Sequence, residues 1–280
     1  MKIIRTISEL QNELSQLRAE GKSIGFVPTM DALHQGHASL IKRAVAENGA
    51  AVASVFVNPT QFNDKNDLKN YPRNLQADCE LLESIGTAIV FAPEVEEMYP
   101  EPDTRVFSYP PTDAVMEGAF RPGHFNGVCQ IVSKLFDYVE PDRAYFGEKD
   151  YQQICVIRRM VEDLKMDINI VACPVIREES GLARSSRNTL LSDDERQLAA
   201  HIYRVLSESR KQQMSVAETH DFVVREIDAI EGLKVQYFSI VDGLTLADVS
   251  TWDDAESVVG CITVYCGAVP IRLIDHIRYK

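Results

Sequence analysis

Between residues 23 and 175 the chain alternates short β-branched apolar runs with stretches whose apolar residues recur at three- and four-residue spacing. Few folds accommodate that alternation. Strand-like runs lie at Ser23–Val27, Ala51–Val57, Ala88–Phe91, Ala144–Phe146 and Ile168–Val175. Helix-like periods at His37–Glu47, Asn74–Ile85, Phe125–Tyr138 and Tyr151–Leu164 separate them. Helical connections of this length can cross a sheet, so the strands can run parallel, and a parallel sheet must be covered on both faces. The expectation is an α/β fold with a mostly parallel sheet that binds ligands at the C-terminal ends of its strands.

After about residue 176 the pattern changes. Ser192 followed by Glu195 reads as a capping box that opens a long helix toward Met214, and a second helix covers about Val216–Ile230. Strand-like stretches follow at Val235–Val241, Val258–Cys266 and Val269–Ile277, the last two separated by little more than Gly267-Ala268, as in a hairpin. Helices followed by antiparallel strands make a smaller α+β unit. Residues 1–175 are therefore read as the ligand-binding domain and residues 176–280 as a smaller α+β domain.

Composition excludes several functions. At 280 residues, 45% hydrophobic and 25% charged, the chain can bury a full core and is not a disordered segment. Its net charge of −13, from 29 basic and 42 acidic side chains, repels phosphate backbones and anionic membranes, so neither is expected as a partner. The six cysteines, at 79, 129, 155, 173, 261 and 266, show no metal-ligand spacing and read as core thiols of a reduced, cytoplasmic protein. Arg5 and Glu9 interrupt any apolar leader. The longest apolar region, Ser257 to Ile274, is broken by Gly260, Gly267, Pro270 and Arg272 and reads as strands.

The most informative segment follows the first strand-like run and contains His34, Gly36 and His37 ahead of a helix. A helix N-terminus offers unpaired N–H groups, and two histidines three apart can donate to the oxygens of a polyphosphate. Taken alone, H-x-x-H is more often a pair of surface or capping histidines, and its strand-to-helix setting is what favours a site. Neither G-x-G-x-x-G after the first strand nor G-x-x-x-x-G-K-[ST] anywhere is present, so dinucleotide and P-loop readings lose their support. A nucleotide site of the H-x-G-H kind needs a second, basic and hydroxyl-rich loop, and Arg184-Ser185-Ser186-Arg187-Asn188 has that chemistry.

Six stretches, in order, resemble the pantoate–β-alanine ligase family, within the H-x-G-H nucleotidyltransferase superfamily. They are Pro28-Thr29-Met30-x-Ala32-Leu33-His34-x-Gly36-His37, Phe56-Val57-Asn58-Pro59-Thr60-Gln61-Phe62, Tyr71-Pro72-Arg73, Arg121-Pro122-Gly123-His124-Phe125-x-Gly127-Val128, Phe146-Gly147-Glu148-Lys149-Asp150-Tyr151-Gln152-Gln153, and Gly181-Leu182-Ala183-x-Ser185-Ser186-Arg187-Asn188. The resemblance implies a Rossmann-like catalytic domain and a C-terminal domain acting as a lid. It also implies ATP-dependent joining of pantoate to β-alanine through a pantoyl adenylate, releasing AMP and pyrophosphate.

The same resemblance implies roles for particular residues. Met30, Asp31, Ala32, Leu33, His34, Gln35, Gly36 and His37 would line ATP, with His34, His37 and Lys149 catalytic and His37 the proton donor. Gly147, Glu148, Lys149, Asp150, Ile176, Arg184, Ser185, Ser186 and Arg187 would complete the nucleotide site. Gln61 and Gln153 would bind pantoate, and Gln61 also β-alanine. Magnesium would arrive with ATP, with no protein metal site expected; Asp78 and Asp150 read as helix-surface charges or, alternatively, as outer-shell or magnesium-contacting groups. Arg121 and His124 are read as structural or loop-ordering. A homodimer is implied.

Three positions depart from the family pattern. Asp31 stands where glycine is usual, and is expected to point to solvent, because a carboxylate turned inward would repel a triphosphate. Ser180 replaces the usual Asp, and Arg184 a residue that is often Met or Leu. Two alternatives stay open: a nucleotidyltransferase acting on another small substrate, and an ATP-binding protein impaired in catalysis.

Overall fold

A computed structural model describes residues 1–62, 68–69, 71 and 73–280, so Pro72 of the Tyr71-Pro72-Arg73 stretch lies outside the described residues. The chain forms two compact units. The first comprises Met1–Tyr109, Phe120–Glu148 and Val156–Cys173; the second comprises Pro110–Ala119, Lys149–Cys155 and Pro174–Lys280. Two short segments thus group with the second unit although they precede residue 175.

The first unit is built on a six-stranded sheet in the order β1-β4-β3-β2-β5-β6, formed by Lys2–Ile4, Ile24–Thr29, Ala50–Val55, Ile89–Phe91, Arg143–Gly147 and Asn169–Cys173 as β1 to β6. All pairs are parallel. Its helices are α1 (Ile7–Ala19), α2 (Gln35–Glu47), α3 (Leu75–Ile85), α4 (His124–Val139) and most of α5 (Tyr151–Asp163). Every residue of β3 is buried, as a strand covered on both faces requires. Alternate residues serve the two faces. Val27, Ala51, Ala53, Val90 and Tyr145 join Ile41 and Ala44 of α2 and Leu82 of α3 in one cluster. On the opposite pleat Phe26 and Phe146 meet Phe136 of α4 edge to face at 6.3 and 6.4 Å.

The topology places a crevice. From β2 the chain adds β3 and β4 on one side and then β5 and β6 on the other, so the order reverses between β2 and β5. Those two strands are in register only at Gly25↔Arg143 and Phe26↔Ala144, whereas β2 and β3 stay paired from Ile24 to Thr29. Pro28 lacks an N–H and can lie beyond the β2–β5 ladder without loss. The C-terminal halves of β2 and β5 therefore carry the Met30–His37 and Gly147–Glu148 segments beyond the point where their ladder ends.

The second unit holds an antiparallel sheet, β7 (Leu233–Asp242), β8 (Val258–Cys266) and β9 (Ile271–Arg278), with helices α6 (Asp193–Lys211) and α7 (Val216–Asp228). The Ser192/Glu195 capping box forms, and a second, Ser215/Glu218, opens α7. Ile202, Val205 and Leu206 of α6 and Val223 and Ile227 of α7 pack with Ile240, Val258 and Ile262. The next pleat, Val241, Val259 and Cys261, packs instead with Met116, Tyr151 and Cys155. That second apolar face explains why the segments around 110–119 and 149–155 belong here. The hairpin turn is longer than the sequence suggests, β9 starting at Ile271. Among the described residues, no helix is long and apolar enough to cross a membrane.

Candidate active site

In the first unit, His34 is the N-cap of α2 and its Nδ1 accepts the Gly36 N–H at 3.1 Å. His37 reciprocates, its Nδ1 accepting the His34 N–H at 3.3 Å. The rings lie 4.1 Å apart. An imidazole whose Nδ1 accepts carries its proton, in the neutral form, on Nε2, so both rings are fixed as Nε2–H donors at a helix N-terminus. Protonation would put a second N–H where each cap needs an acceptor. Gly36 has a structural reason as well: a Cβ there would lie 2.7 Å from His34 Cε1.

Asp31 does not point to solvent. It is 7% exposed, and its Oδ1 accepts the N–H groups of Ala32 and Asn74, both at 2.8 Å. The turn holds two successive non-glycine residues at positive φ, Asp31 at 113° and Ala32 at 54°. Asp78 is not a surface charge either; it is 3% exposed, and its Oδ1 accepts the Leu33 N–H at 2.7 Å. Burial first, and then the neighbouring Asp31 carboxyl, push its pKa up to about 7. The expectation of an outward carboxylate fails because Asn74 and Asp78 of the α3 start provide an inner set of partners.

Gln61 ends a short 3₁₀ turn, Pro59–Gln61, and is 6% exposed. Its Nε2 lies against Met30 Sδ, and its Oε1 accepts from Asn58 Nδ2 at 3.3 Å, which joins it to the segment after β2. Asn58 is itself fixed by donating to the Gly127 carbonyl at 3.0 Å and accepting from Tyr99 OH at 2.7 Å. The His124 ring is bound on both sides, Nδ1 to the Gln61 carbonyl at 2.9 Å and Nε2 to Arg121 Nη1 at 3.1 Å. A carbonyl only accepts and a guanidinium only donates, so Nδ1 carries the proton and Nε2 accepts. Gly127 lets α4 approach: a Cβ there would lie 2.6 Å from the Thr60 carbonyl carbon and 2.7 Å from Gln61 Cα. Asn58 as the partner of Gln61, and Tyr99 and Gly127 as the groups that fix Asn58, escaped the sequence reading, although Asn58 and Gly127 stand within the quoted stretches.

The chain passes to the second unit between Glu148 and Lys149. There Lys149 Nζ donates to Asp150 at 3.2 Å, and Gln153 lies half-buried in the first turn of α5. Lys149, Ser185 and Arg187 line one cleft together with Asn188, Arg272 and Asp275. Ile176 and Arg184 pair through their backbone, Arg184 N–H to the Ile176 carbonyl at 2.9 Å. The Ser185 hydroxyl caps the turn that holds Ser186 and Arg187, accepting from the Arg187 N–H at 3.3 Å. Among the described residues no group of three or more His, Cys, Asp or Glu side chains could hold a metal ion.

Comparison with known proteins matches residues 2–278 to a family model described as pantoate-beta-alanine ligase. The chain is 64% identical to a pantothenate synthetase of Bacteroides thetaiotaomicron, over 100% of this chain and 99% of that relative. It is 57% identical to that of Porphyromonas gingivalis over 100% of both. A crystal structure of pantothenate synthetase from Thermus thermophilus is similar with a TM-score of 0.93 at 44% identity, covering 100% of this chain and 99% of that one. A pantoate-beta-alanine ligase from Francisella tularensis, complexed with beta-gamma ATP and beta-alanine, gives a TM-score of 0.85 at 34% identity over 100% and 98%.

Proposed function

The chain belongs to the pantoate–β-alanine ligase family, and from that premise we propose that it joins pantoate to β-alanine in two steps through a pantoyl adenylate. In the first, a pantoate carboxylate oxygen attacks the α-phosphorus of ATP, the bond to the bridging oxygen breaks, and pyrophosphate leaves. In the second, the amine of β-alanine attacks the acyl carbon, AMP leaves with the electron pair of the acyl–oxygen bond, and the nitrogen gives up its proton. No protein nucleophile enters either step. Positioning and stabilisation of developing negative charge carry the catalysis.

The observation that carries this reading is the reciprocal His34–His37 cap at the start of α2, just past the end of β2 where the sheet order reverses. Two neutral Nε2–H donors beside a helix N-terminus suit the charge that gathers on a departing pyrophosphate, with His37 donating a hydrogen bond, rather than giving up its proton, as that charge forms. Gln61, held by Met30 and Asn58, is assigned to pantoate and β-alanine, and Gln153 to pantoate. Lys149 serves the α-phosphate or carboxylate, and Gly147, Glu148, Asp150 and the Ile176 backbone serve the rest of the nucleotide. Arg184, Ser185, Ser186 and Arg187 close on the phosphates, their unit acting as a lid. Magnesium comes with ATP and is held through phosphate oxygens and water. We place the enzyme in the cytoplasm as a homodimer.

The test is an omission series with purified protein, ATP, magnesium, pantoate and β-alanine, reading AMP. AMP formation that needs every component is expected; AMP formed equally without pantoate or β-alanine contradicts the reading, and a product retaining the nucleotide favours a nucleotidyltransferase.

A further inference from the structure

Arg177 has no part in the reaction as described, yet its guanidinium is anchored by a carboxylate, a carbonyl and an aromatic ring in the segment that leads into the loop assigned to the phosphates. It stands in a small hairpin closed by Arg184 N–H to Ile176 C=O at 2.9 Å and Glu178 N–H to Leu182 C=O at 2.8 Å. Its guanidinium makes a bidentate pair with Asp275 of β9, Nη1 to Oδ2 at 2.6 Å and Nη2 to Oδ1 at 2.9 Å, and Nη1 also donates to the Gly181 carbonyl at 3.1 Å. The same group lies 3.4 Å from the ring centroid of Tyr203 on α6. The Arg177 and Asp275 side chains are only 16% and 5% exposed.

A sheet strand, a helix and the hairpin's own turn are thereby tied to one planar cation. Gly181, at φ 93°, permits the approach, because a Cβ there would meet Tyr203 Cδ1 at 3.2 Å. On the far side Asn188 Nδ2 donates to the Ala183 carbonyl and to Glu178 Oε1, each at 3.1 Å. Asp275 and Asn188 line the same cleft as Lys149, Ser185 and Arg187.

We propose that Arg177 is a positioning residue for nucleotide binding: locked between Asp275 and Tyr203, it holds the hairpin so that Ser185, Ser186 and Arg187 are ordered before the triphosphate arrives. This rests on the assignment of those three residues to ATP. An ordered loop has less conformational entropy to lose on binding, so the clamp raises ATP affinity without touching the reacting atoms. Lysine cannot substitute, because an ammonium lacks the planar fork that engages both carboxylate oxygens and stacks on the ring.

The test compares wild type with Arg177→Lys and Asp275→Asn. The expected result is a KM for ATP raised roughly tenfold or more, with kcat at saturating ATP and the KM for β-alanine little changed. A KM for ATP that stays at the wild-type value in a folded variant overturns the proposal, as does an equal fall in kcat/KM for all three substrates. Asp275→Asn keeps one acceptor oxygen and decides the matter if Arg177→Lys fails to fold. If wild type binds ATP but forms no AMP, the functional reading fails separately, and the clamp is judged by titrating the same variants with ATP and magnesium: weaker binding supports it, equal binding overturns it.

Discussion

At Asp31 a side chain that repels phosphate stands in the turn assigned to ATP, and its burial resolves the conflict. The carboxylate satisfies the Ala32 and Asn74 N–H groups, and Asp78 satisfies Leu33, so the negative charge is spent on the turn's own backbone. This arrangement has a pH signature. The Asp78 pKa is raised from 3.8 to about 7, so its contribution to stability is fully present below about pH 4 and is lost as pH rises toward about 7. The melting temperature of Asp78→Asn should therefore gain on wild type as pH is raised through that interval and hold steady above it. A difference between the two proteins that does not change with pH contradicts the raised pKa. The direction of Asp31 was not legible from sequence, because its partner Asn74 lies 43 residues away. The two histidines were legible as a motif, but their fixed tautomers depend on the cap that each makes to the other's backbone.

Elements were read best where local chemistry alone sets them. Val258–Cys266 and the Ser192 cap coincide with β8 and the start of α6, and the four helix-like periods fall on α2 to α5. The strand β1 and helix α1 went unread. Three residues are too few to show a period, and α1 buries only Leu10 and Leu14. The contact between α4 and the Pro59–Gln61 turn was likewise out of reach, since it joins stretches more than sixty residues apart through an absent side chain. It predicts that Gly127→Ala, by driving a methyl group into Thr60 and Gln61, costs about 1–3 kcal/mol of stability and raises the KM for pantoate more than that for ATP. Denaturant unfolding and substrate kinetics on one preparation check both parts, and an unaltered KM for pantoate in a variant that is destabilised would detach α4 from Gln61. The last element of the site, β5, ends at Gly147, where a Cβ would meet no described atom within 4 Å. Gly147→Ala should then leave the melting temperature within about 1 °C while weakening ATP binding; unweakened binding would remove Gly147 from the nucleotide site.

On the scale of the whole chain, two cores divide the assigned residues between them: His34, His37 and Gln61 in the first unit, Lys149, Arg184 and Arg187 in the second. Alternation of strands and helices foretold the parallel sheet, and the change of pattern near residue 176 the antiparallel one. The two short segments that cover the far face of the β7–β9 sheet were not foretold, because nothing in their composition sets them apart. A net charge of −13 makes local cations and neutral donors the means of holding anionic groups such as a triphosphate or a carboxylate, and the proposed first step assigns that task to the histidine pair. The most direct measurement is exchange of labelled pyrophosphate into ATP in the absence of β-alanine. The account predicts exchange that requires pantoate and is abolished in folded His37→Ala. Exchange that proceeds without pantoate, that waits for β-alanine, or that survives His37→Ala at the wild-type rate would contradict an adenylate formed at this site.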